Sequence, residues 1–393
     1  MTFLLHSSAW AVLALLIVGH AAVDVGAGAL PALAQYLRTE LRLTYTVTGV
    51  LVTAASLCGA LIQVAAGWVA DRHRSLWMVP AGVALTATGL ALAGFATGPL
   101  TAALSLGVLA LGPALFHPEA VRTAYQAAGA RRATVMGYFT VGGSVGWALG
   151  PTVVAVLAGT FGLRGLALWL AVGLPIAALL AASQRREGVL QPRELARGHG
   201  HDLWAAYALL LAIALLRGGV HVGVTVFYPG FLIDHLGQSR EAASAALSVL
   251  LAGGVVAGPL LGRLADRWSR RGVLGVTMAV LGGVVLLLPV LRPPWTYPAV
   301  LVLGACSQGV LPITLVLSQE FLPGHTALGG GMQVAASSVA ALLATPFGLV
   351  ADTLGVPAVL RVAAGMAAMG AVLAAWLPAA RARRAGPVLA GGD

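Results

Sequence analysis

The chain has 393 residues, of which 59% are apolar and only 9% charged, where a soluble domain has about 25% charged residues. At roughly 20 apolar residues per bilayer-spanning helix, this content furnishes on the order of eleven or twelve spans, and the mean hydropathy of +0.91 leaves little chain for an aqueous domain. Soluble cofactor folds, secreted disulfide scaffolds and disordered tails are thereby excluded, and the formal charge of +10 does not mark a nucleic-acid surface, because the basic residues fall between apolar runs.

The first apolar run, Ala9 to Tyr36, has no charged segment ahead of it and no convincing cleavage site, so it is expected to remain as a first span. Polar or Pro/Gly-marked breaks then separate Tyr45 to Ala70, Leu76 to Ala96, Leu100 to Phe116, Thr134 to Ala158 and Leu163 to Ala182, which completes six runs. After a polar stretch from Ser183 to Asp202 come Leu203 to Leu232, Ala242 to Ala265, Val273 to Val290, Tyr297 to Phe321, Ala327 to Val350 and Pro357 to Leu377, six more. Barrel strands alternate in polarity over about ten residues. These runs are about twice as long and apolar on every side, which predicts an all-α polytopic membrane protein of twelve transmembrane helices. The expected organisation is a six-helix half over 1–182, a linker over 183–202, a second six-helix half over 203–377 and a tail over 378–393. Cys58 and Cys306 each sit inside an apolar stretch and read as small packing residues.

All 23 basic residues are arginine, and cytoplasmic loops collect them. Sixteen lie on the side of the central stretch and the termini; Arg38, Arg42, Arg164, Arg240, Arg292 and Arg361 lie on the other, and Arg217 falls inside a span. The expectation is a multi-pass protein of the inner (cytoplasmic) membrane with both termini in the cytoplasm.

An internal repeat divides the chain. GWVADR, from Gly67 to Arg72, returns as GRLADR from Gly262 to Arg267, displaced by 195, and the same shift carries Pro151 onto Pro346. Parallel six-plus-six halves build a large group of secondary transporters. Here the sequence resembles the major facilitator superfamily, whose signature after the second span is a GxxxDRxxxR-type loop. The second copy, Gly262 to Arg270, fits it; the first departs, since Arg74 comes one position early and the usual loop glycine is missing. Within the superfamily the chain is similar to the fosmidomycin resistance protein family of bacterial exporters. The likeness rests on His20-xxx-Asp24 followed by Gly28-Ala-Leu-Pro31, on Phe116-His117-Pro118-Glu119, on Arg217 in span seven, and on Ser318-Gln319-Glu320-Phe-Leu-Pro323-Gly324. The resemblance implies the major facilitator fold, two pseudo-symmetric halves rocking about a midplane cavity lined by spans one and seven.

An ionisable side chain at the bilayer centre costs roughly 2.5–3.5 kcal/mol on insertion scales, so one that persists there faces a cavity or a partner. His20 and Asp24 stand i and i+4 in span one, Arg217 and His221 likewise in span seven, and a shift of 197 superposes the pairs. With the placement the resemblance implies, both pairs are expected at one depth around a shared chamber. Asp24, tuned by His20 and by competition with Arg217, then takes and releases a coupling proton, while Arg217 offers its fork to a carboxylate, phosphate or phosphonate. The same residues also admit a structural Asp24–Arg217 ion pair, and His20 and His221 could be hydrogen-bonded helix contacts. His117 and Glu119 flank Pro118, whose missing amide and ring clash bend a helix; they form either a proton path or a helix end with Glu119 paired to Arg122. Gln308 and Gln63 are candidate uncharged cargo contacts or helix-helix contacts. Trp147 and Trp169 read as packing or interface residues.

Gating is expected of Gly67, Asp71, Arg72 and Arg74 and of Gly262, Asp266, Arg267 and Arg270, with each aspartate meeting the positive amino-terminal end of a helix from the other half. Such contacts favour the outward-open state. Gly142, Gly146 and Gly150, followed by Pro151, present a flat stripe to another helix and resemble the superfamily's antiporter motif in shortened form, which points to export in exchange for protons. The run from Gly198 through His199 and His201 to Asp202 lacks the fixed geometry of a metal centre, so no metal is expected, and no cofactor. With no lysine there is no GxxxxGKS phosphate loop, and transport is expected to draw on an ion gradient. The expected partners are a small-molecule substrate, protons and the lipid bilayer, with the monomer as the working unit and no nucleic acid. A proton symporter importing an organic anion or sugar uses the same fold. A membrane-embedded enzyme needs a nucleophile and base, or a metal constellation, which the scattered histidines and single carboxylates do not supply.

Overall fold

The computed structural model describes residues 2–72, 75, 77–127, 132–184, 201–323, 325, 329, 332–333, 335–336 and 339–378. Among them there are helices and connecting turns and no strand. The first half contains α1 (Thr2–Glu40), α2 (Tyr45–Arg72), α3 (Met78–Ala93), α4 (Pro99–Ala127), α5 (Arg132–Phe161) and α6 (Leu170–Gln184), the last entered through a 3-10 turn at Leu163–Trp169. In the second half, α7 runs from Trp204–Val222 through a π-helical turn, Gly223–Phe227, into Tyr228–Asp234. It is followed by α8 (Arg240–Arg267), α9 (Arg270–Leu287), α10 (Thr296–Gln308 and Leu311–Phe321), α11 (Ala341–Leu343 continuing as Ala344–Leu354) and α12 (Val356–Trp376).

Ten of the described spans are long and apolar enough to cross a bilayer, and the two shorter apolar helices, Met78–Ala93 and Ala341–Leu354, complete the twelve. Helix is the form these runs must take, because a segment in hydrocarbon has to satisfy every backbone donor and acceptor within itself. The same environment tolerates Pro31, Pro113, Pro118, Pro151, Pro175 and Pro259 inside helices. Part of the eleventh expected run, Ala327 to Val350, lies outside the described residues.

The Gly142–Gly146–Gly150 stripe of α5 is buried against α1. A Cβ at Gly146 would come within 2.7 Å of the Ala21 Cα, and one at Gly142 within 2.8 Å of the Ile17 carbonyl oxygen. The partner of the stripe is therefore the other helix of the same half, and the small residues let the two backbones touch.

Between the halves, the hydrogen bonds cluster at the end of the bundle opposite the two Asp-Arg motifs, which we call the far end. Arg38 on α1 donates to both carboxylate oxygens of Asp234 on α7 at 3.0 and 2.9 Å, and the Tyr45 hydroxyl donates to the same carboxylate at 2.7 Å. Arg240 pairs with Glu40 at 2.6 Å, and the Tyr36 hydroxyl donates to Glu241 at 3.2 Å. Asp352 on α11 accepts from the backbone amides of Tyr45 at 2.9 Å and Thr46 at 2.7 Å, so a carboxylate of one half caps the first turn of α2 in the other. Deeper in, Gln35 donates to the Val226 carbonyl at 2.6 Å, within the π-helical turn of α7, where the widened ladder leaves backbone groups for outside partners. Thr152 and Ser248 meet at 2.7 Å between α5 and α8, and Thr53 donates to the Ala341 carbonyl at 3.1 Å between α2 and α11.

Candidate functional site

Two polar constellations occupy the middle of the bundle. The first is built wholly from the first half. One turn apart on α1, His20 and Asp24 bring Nε2 to 3.3 Å from Oδ2, and His117 on α4 brings its Nε2 to 3.0 Å from the other carboxylate oxygen. The His20 Nδ1–H donates to the Phe139 carbonyl on α5 at 2.8 Å, and its ring stacks on the Phe139 ring with centroids 4.1 Å apart. Gly143 on α5 lies over the pair: a Cβ there would reach to 2.7 Å from Asp24 Oδ2. His20 is buried, whereas the side chains of Asp24 and His117 keep 16% and 26% of their surface accessible.

The second constellation belongs to the second half. Arg217 is buried on α7; its Nη1 donates to the Ser307 carbonyl at 2.8 Å and to the Gln308 Oε1 at 3.3 Å. Gln308 Nε2 lies 3.3 Å from His221 Nε2, so the amide links guanidinium to imidazole. Trp147 reaches across from α5, its ring centroid 5.6 Å from that of His221. Arg217, His221, Gln308 and Gln63 all line one cavity of about 390 Å³, whose remaining wall is largely apolar, with Leu30, Val52, Leu109, Trp147, Leu251 and Leu311. The chamber has the size and the mostly apolar lining, with a few polar groups, of a small-molecule site.

Of the two pairs expected to share a chamber, one lines this cavity. Arg217 and His221 line the cavity. On α1 it is Gly26, Ala27 and Leu30 that line it, while Asp24 turns to His117. Residues 24 and 27 point about 60° apart around a helix and lie about 4.5 Å apart along its axis, so Asp24 sits one turn from the cavity wall toward the motif end. His117 stands likewise one turn beyond Pro113, itself a lining residue. Glu119 is buried on α4 two residues further on. Trp147, read from sequence as a packing residue, is a cavity wall; an aromatic in an apolar run carries no mark that separates the two roles.

At the motif end, Asp266 bonds Arg270 within its own half at 3.2 Å, and Arg270 also pairs with Glu320. Arg267 is exposed, and a Cβ added at Gly67 or Gly262 would have nothing within 4 Å. The side chains of Asp71 and Arg72 and the whole of Arg74 lie outside the described residues, as do Gly198 and His199. Asp202 contacts His325 at 2.5 Å. A carboxylate of one half at a helix amino terminus of the other, the kind of contact expected of the motif aspartates, is made at the far end by Asp352.

A twelve-helix bundle with a small-molecule cavity between its halves, fastened at one end, defines a membrane carrier. The Major Facilitator Superfamily model matches residues 12–345 and 209–392. The chain belongs to the major facilitator superfamily, and it is accordingly a multi-pass membrane transporter and not an enzyme. It is 25% identical over 388 residues to the fosmidomycin resistance protein of Escherichia coli (strain K12), spanning 94% of this chain and 93% of that one. It is 26% identical over 381 residues to the uncharacterized MFS-type transporter YfnC of Bacillus subtilis (strain 168), spanning 93% and 92%. Among solved structures it superposes with a TM-score of 0.74 on a bacterial homolog to the human lysosomal transporter Spinster in an inward-facing and unoccupied conformation, at 15% identity over 94% and 95% of the two chains. The nucleoside transporter NupG also gives 0.74, at 16% identity over 93% and 98%. These two likenesses show the fold alone.

Proposed function

We propose that the chain is a proton-coupled antiporter that exports a small anionic or drug-like molecule, a phosphonate or other organic anion, by alternating access. The observation that carries the reading is that Arg217, His221, Gln308 and Gln63 line a single, otherwise apolar cavity. Arg217 is the cargo's anion clasp, Gln308 holds its guanidinium in place, and Gln63 faces the cargo from the other half. Asp24, between His20 and His117, is the coupling carboxylate, and it lies one turn toward the motif end, the side to which its proton is released during export. Glu119 belongs to the same proton path. Because Asp24 and Arg217 sit in different halves, cargo and proton exclude one another through the relative position of the halves rather than through a direct ion pair.

The two halves, 1–182 and 203–377, rock about the cavity, joined by the linker 183–202 and followed by the tail 378–393. With the arginine-rich side in the cytoplasm of the inner membrane, the far-end lattice of Arg38, Asp234, Tyr45 and Asp352 is the closed periplasmic gate. In this inward-facing state Asp266 and Arg270 pair locally. Closing the motif end turns Asp71 and Asp266 to the opposite half, with Arg72, Arg74, Arg267 and Arg270 completing the lattice and Gly67 and Gly262 supplying room for the approach. The Gly142–Gly146–Gly150 stripe ending at Pro151 keeps α1 and α5 moving as one body. The monomer is the working unit.

The likeness to a fosmidomycin resistance protein supports efflux and a phosphonate cargo. Vesicles containing the purified protein, loaded with fosmidomycin and given an imposed pH gradient, test this. Cargo is expected to move against the proton, and Asp24→Asn is expected to abolish gradient-driven movement. Cargo moving with the proton makes the chain a symporter, and driven efflux that survives in Asp24→Asn removes the coupling assignment.

A further inference from the structure

The first-half constellation holds a feature that proton coupling does not require. The ring nitrogen of His20 that faces away from Asp24 donates to a backbone carbonyl, that of Phe139. His117 meets the other oxygen of the same carboxylate through its own Nε2 at 3.0 Å. His20 thus commits its Nδ1–H to a carbonyl and, when neutral, turns the Nε2 lone pair toward Asp24; a neutral His117 that carries its hydrogen on Nδ1 does the same. Three acceptors then converge, and a positive species belongs between them.

We propose that His20, Asp24 and His117 form a binding site for a divalent transition-metal ion of the zinc class. One ligand atom from each of His20, Asp24 and His117 lies within 4.8 Å of the other two, with His20 Nε2 3.3 Å from Asp24 Oδ2 and His117 Nε2 3.0 Å from Asp24 Oδ1. Ligands held tetrahedrally at about 2.0–2.1 Å from one zinc ion are about 3.3–3.4 Å apart, so the three close on an ion once the side chains draw together by about an ångström. An i, i+4 pair on one helix face is a spacing that metal-binding helices use, and the third ligand from α4 fixes a plane. The Phe139 carbonyl behind His20 is the kind of outer contact that sets the tautomer and orientation of a metal-bound histidine. Gly143 packs its backbone over the His20–Asp24 pair, where a Cβ would reach to 2.7 Å from Asp24 Oδ2, and the partial exposure of Asp24 and His117 gives water access from the other side. Two imidazoles and one carboxylate select Zn²⁺, Co²⁺ or Ni²⁺ over Mg²⁺ or Ca²⁺, which take oxygen ligands.

The site differs from the linker histidines considered in the sequence, and its existence does not depend on which cargo the chain moves or in which direction. One consequence does rest on the antiport reading: an ion bonded to these lone pairs excludes the coupling protons, so Zn²⁺ is expected to inhibit exchange.

The test uses full-length protein purified without a histidine tag. Titrated with Co²⁺ and then Zn²⁺, it is expected to bind one ion in the micromolar range or tighter, with a tetrahedral Co²⁺ visible spectrum that Zn²⁺ abolishes. His117→Gln and Asp24→Asn are each expected to weaken binding by more than about tenfold, while His117→Cys, which supplies a thiolate, restores it. His325→Gln, at the other histidine–aspartate contact, leaves it unchanged. Retention of wild-type affinity in His117→Gln, loss of affinity in His325→Gln instead, or no binding below millimolar Zn²⁺ each overturns the proposal. Failure of these titrations leaves the transport reading intact, whereas binding without Zn²⁺ inhibition of exchange counts against the role of Asp24 in coupling and not against the metal site.

Discussion

At the scale of residues, Arg217 carries the most weight. A guanidinium inside a span costs a few kcal/mol on insertion scales, and the Ser307 carbonyl and Gln308 amide hold it at the cavity wall. A charge-assisted hydrogen bond is worth about 1.5–3 kcal/mol, so Arg217→Gln is expected to weaken binding of an anionic phosphonate by about 10- to 150-fold in a calorimetric titration. A neutral analogue of the same size should lose little. Equal losses for both would make Arg217 a structural residue. The two helix-one and helix-seven pairs were legible in the sequence because an ionisable group in an apolar run has few bland explanations. The attachment of His117 to Asp24 was not, because it joins positions 93 residues apart and depends on the rotation of α4 against α1.

At the scale of elements, α2 illustrates how one half fastens on the other. Its first amides are capped by Asp352 from α11, and its glycine at position 49 lies against the Ala344 backbone of the same helix. Removing a capping side chain costs about 0.5–2 kcal/mol, which corresponds to roughly a 2- to 30-fold change in the balance of the two states. Asp352→Ala is therefore expected to raise, by a factor in that range, the labelling rate of a cysteine placed at Thr53, beneath the closed far end. An unchanged rate means that Asp352 does not hold the far end closed. Little in the sequence marks these cross-half contacts: Arg38, Asp234, Tyr45 and Asp352 lie at span ends, where solvated charges are ordinary. The twelve spans themselves were legible from hydropathy, and α5's glycine stripe from its period of four, although its partner, α1, is set by tertiary packing.

At the scale of the whole molecule, the six-plus-six repeat is matched by two halves, one carrying Arg217 and His221 at the cavity and the other the His20–Asp24–His117 constellation. In the proposed function cargo and protons therefore act on different halves and are coupled by the movement between them. Substrate-induced proton release from purified protein, kept metal-free with a chelator, tests it most directly. Adding a phosphonate, at a concentration that saturates the wild type but not the weakened variant, is expected to release protons into a weakly buffered solution; the release should vanish in Asp24→Asn, which still binds the phosphonate, and fall in Arg217→Gln in proportion to its weakened binding. Release that persists in Asp24→Asn, or that is evoked only by cationic drugs, contradicts the account.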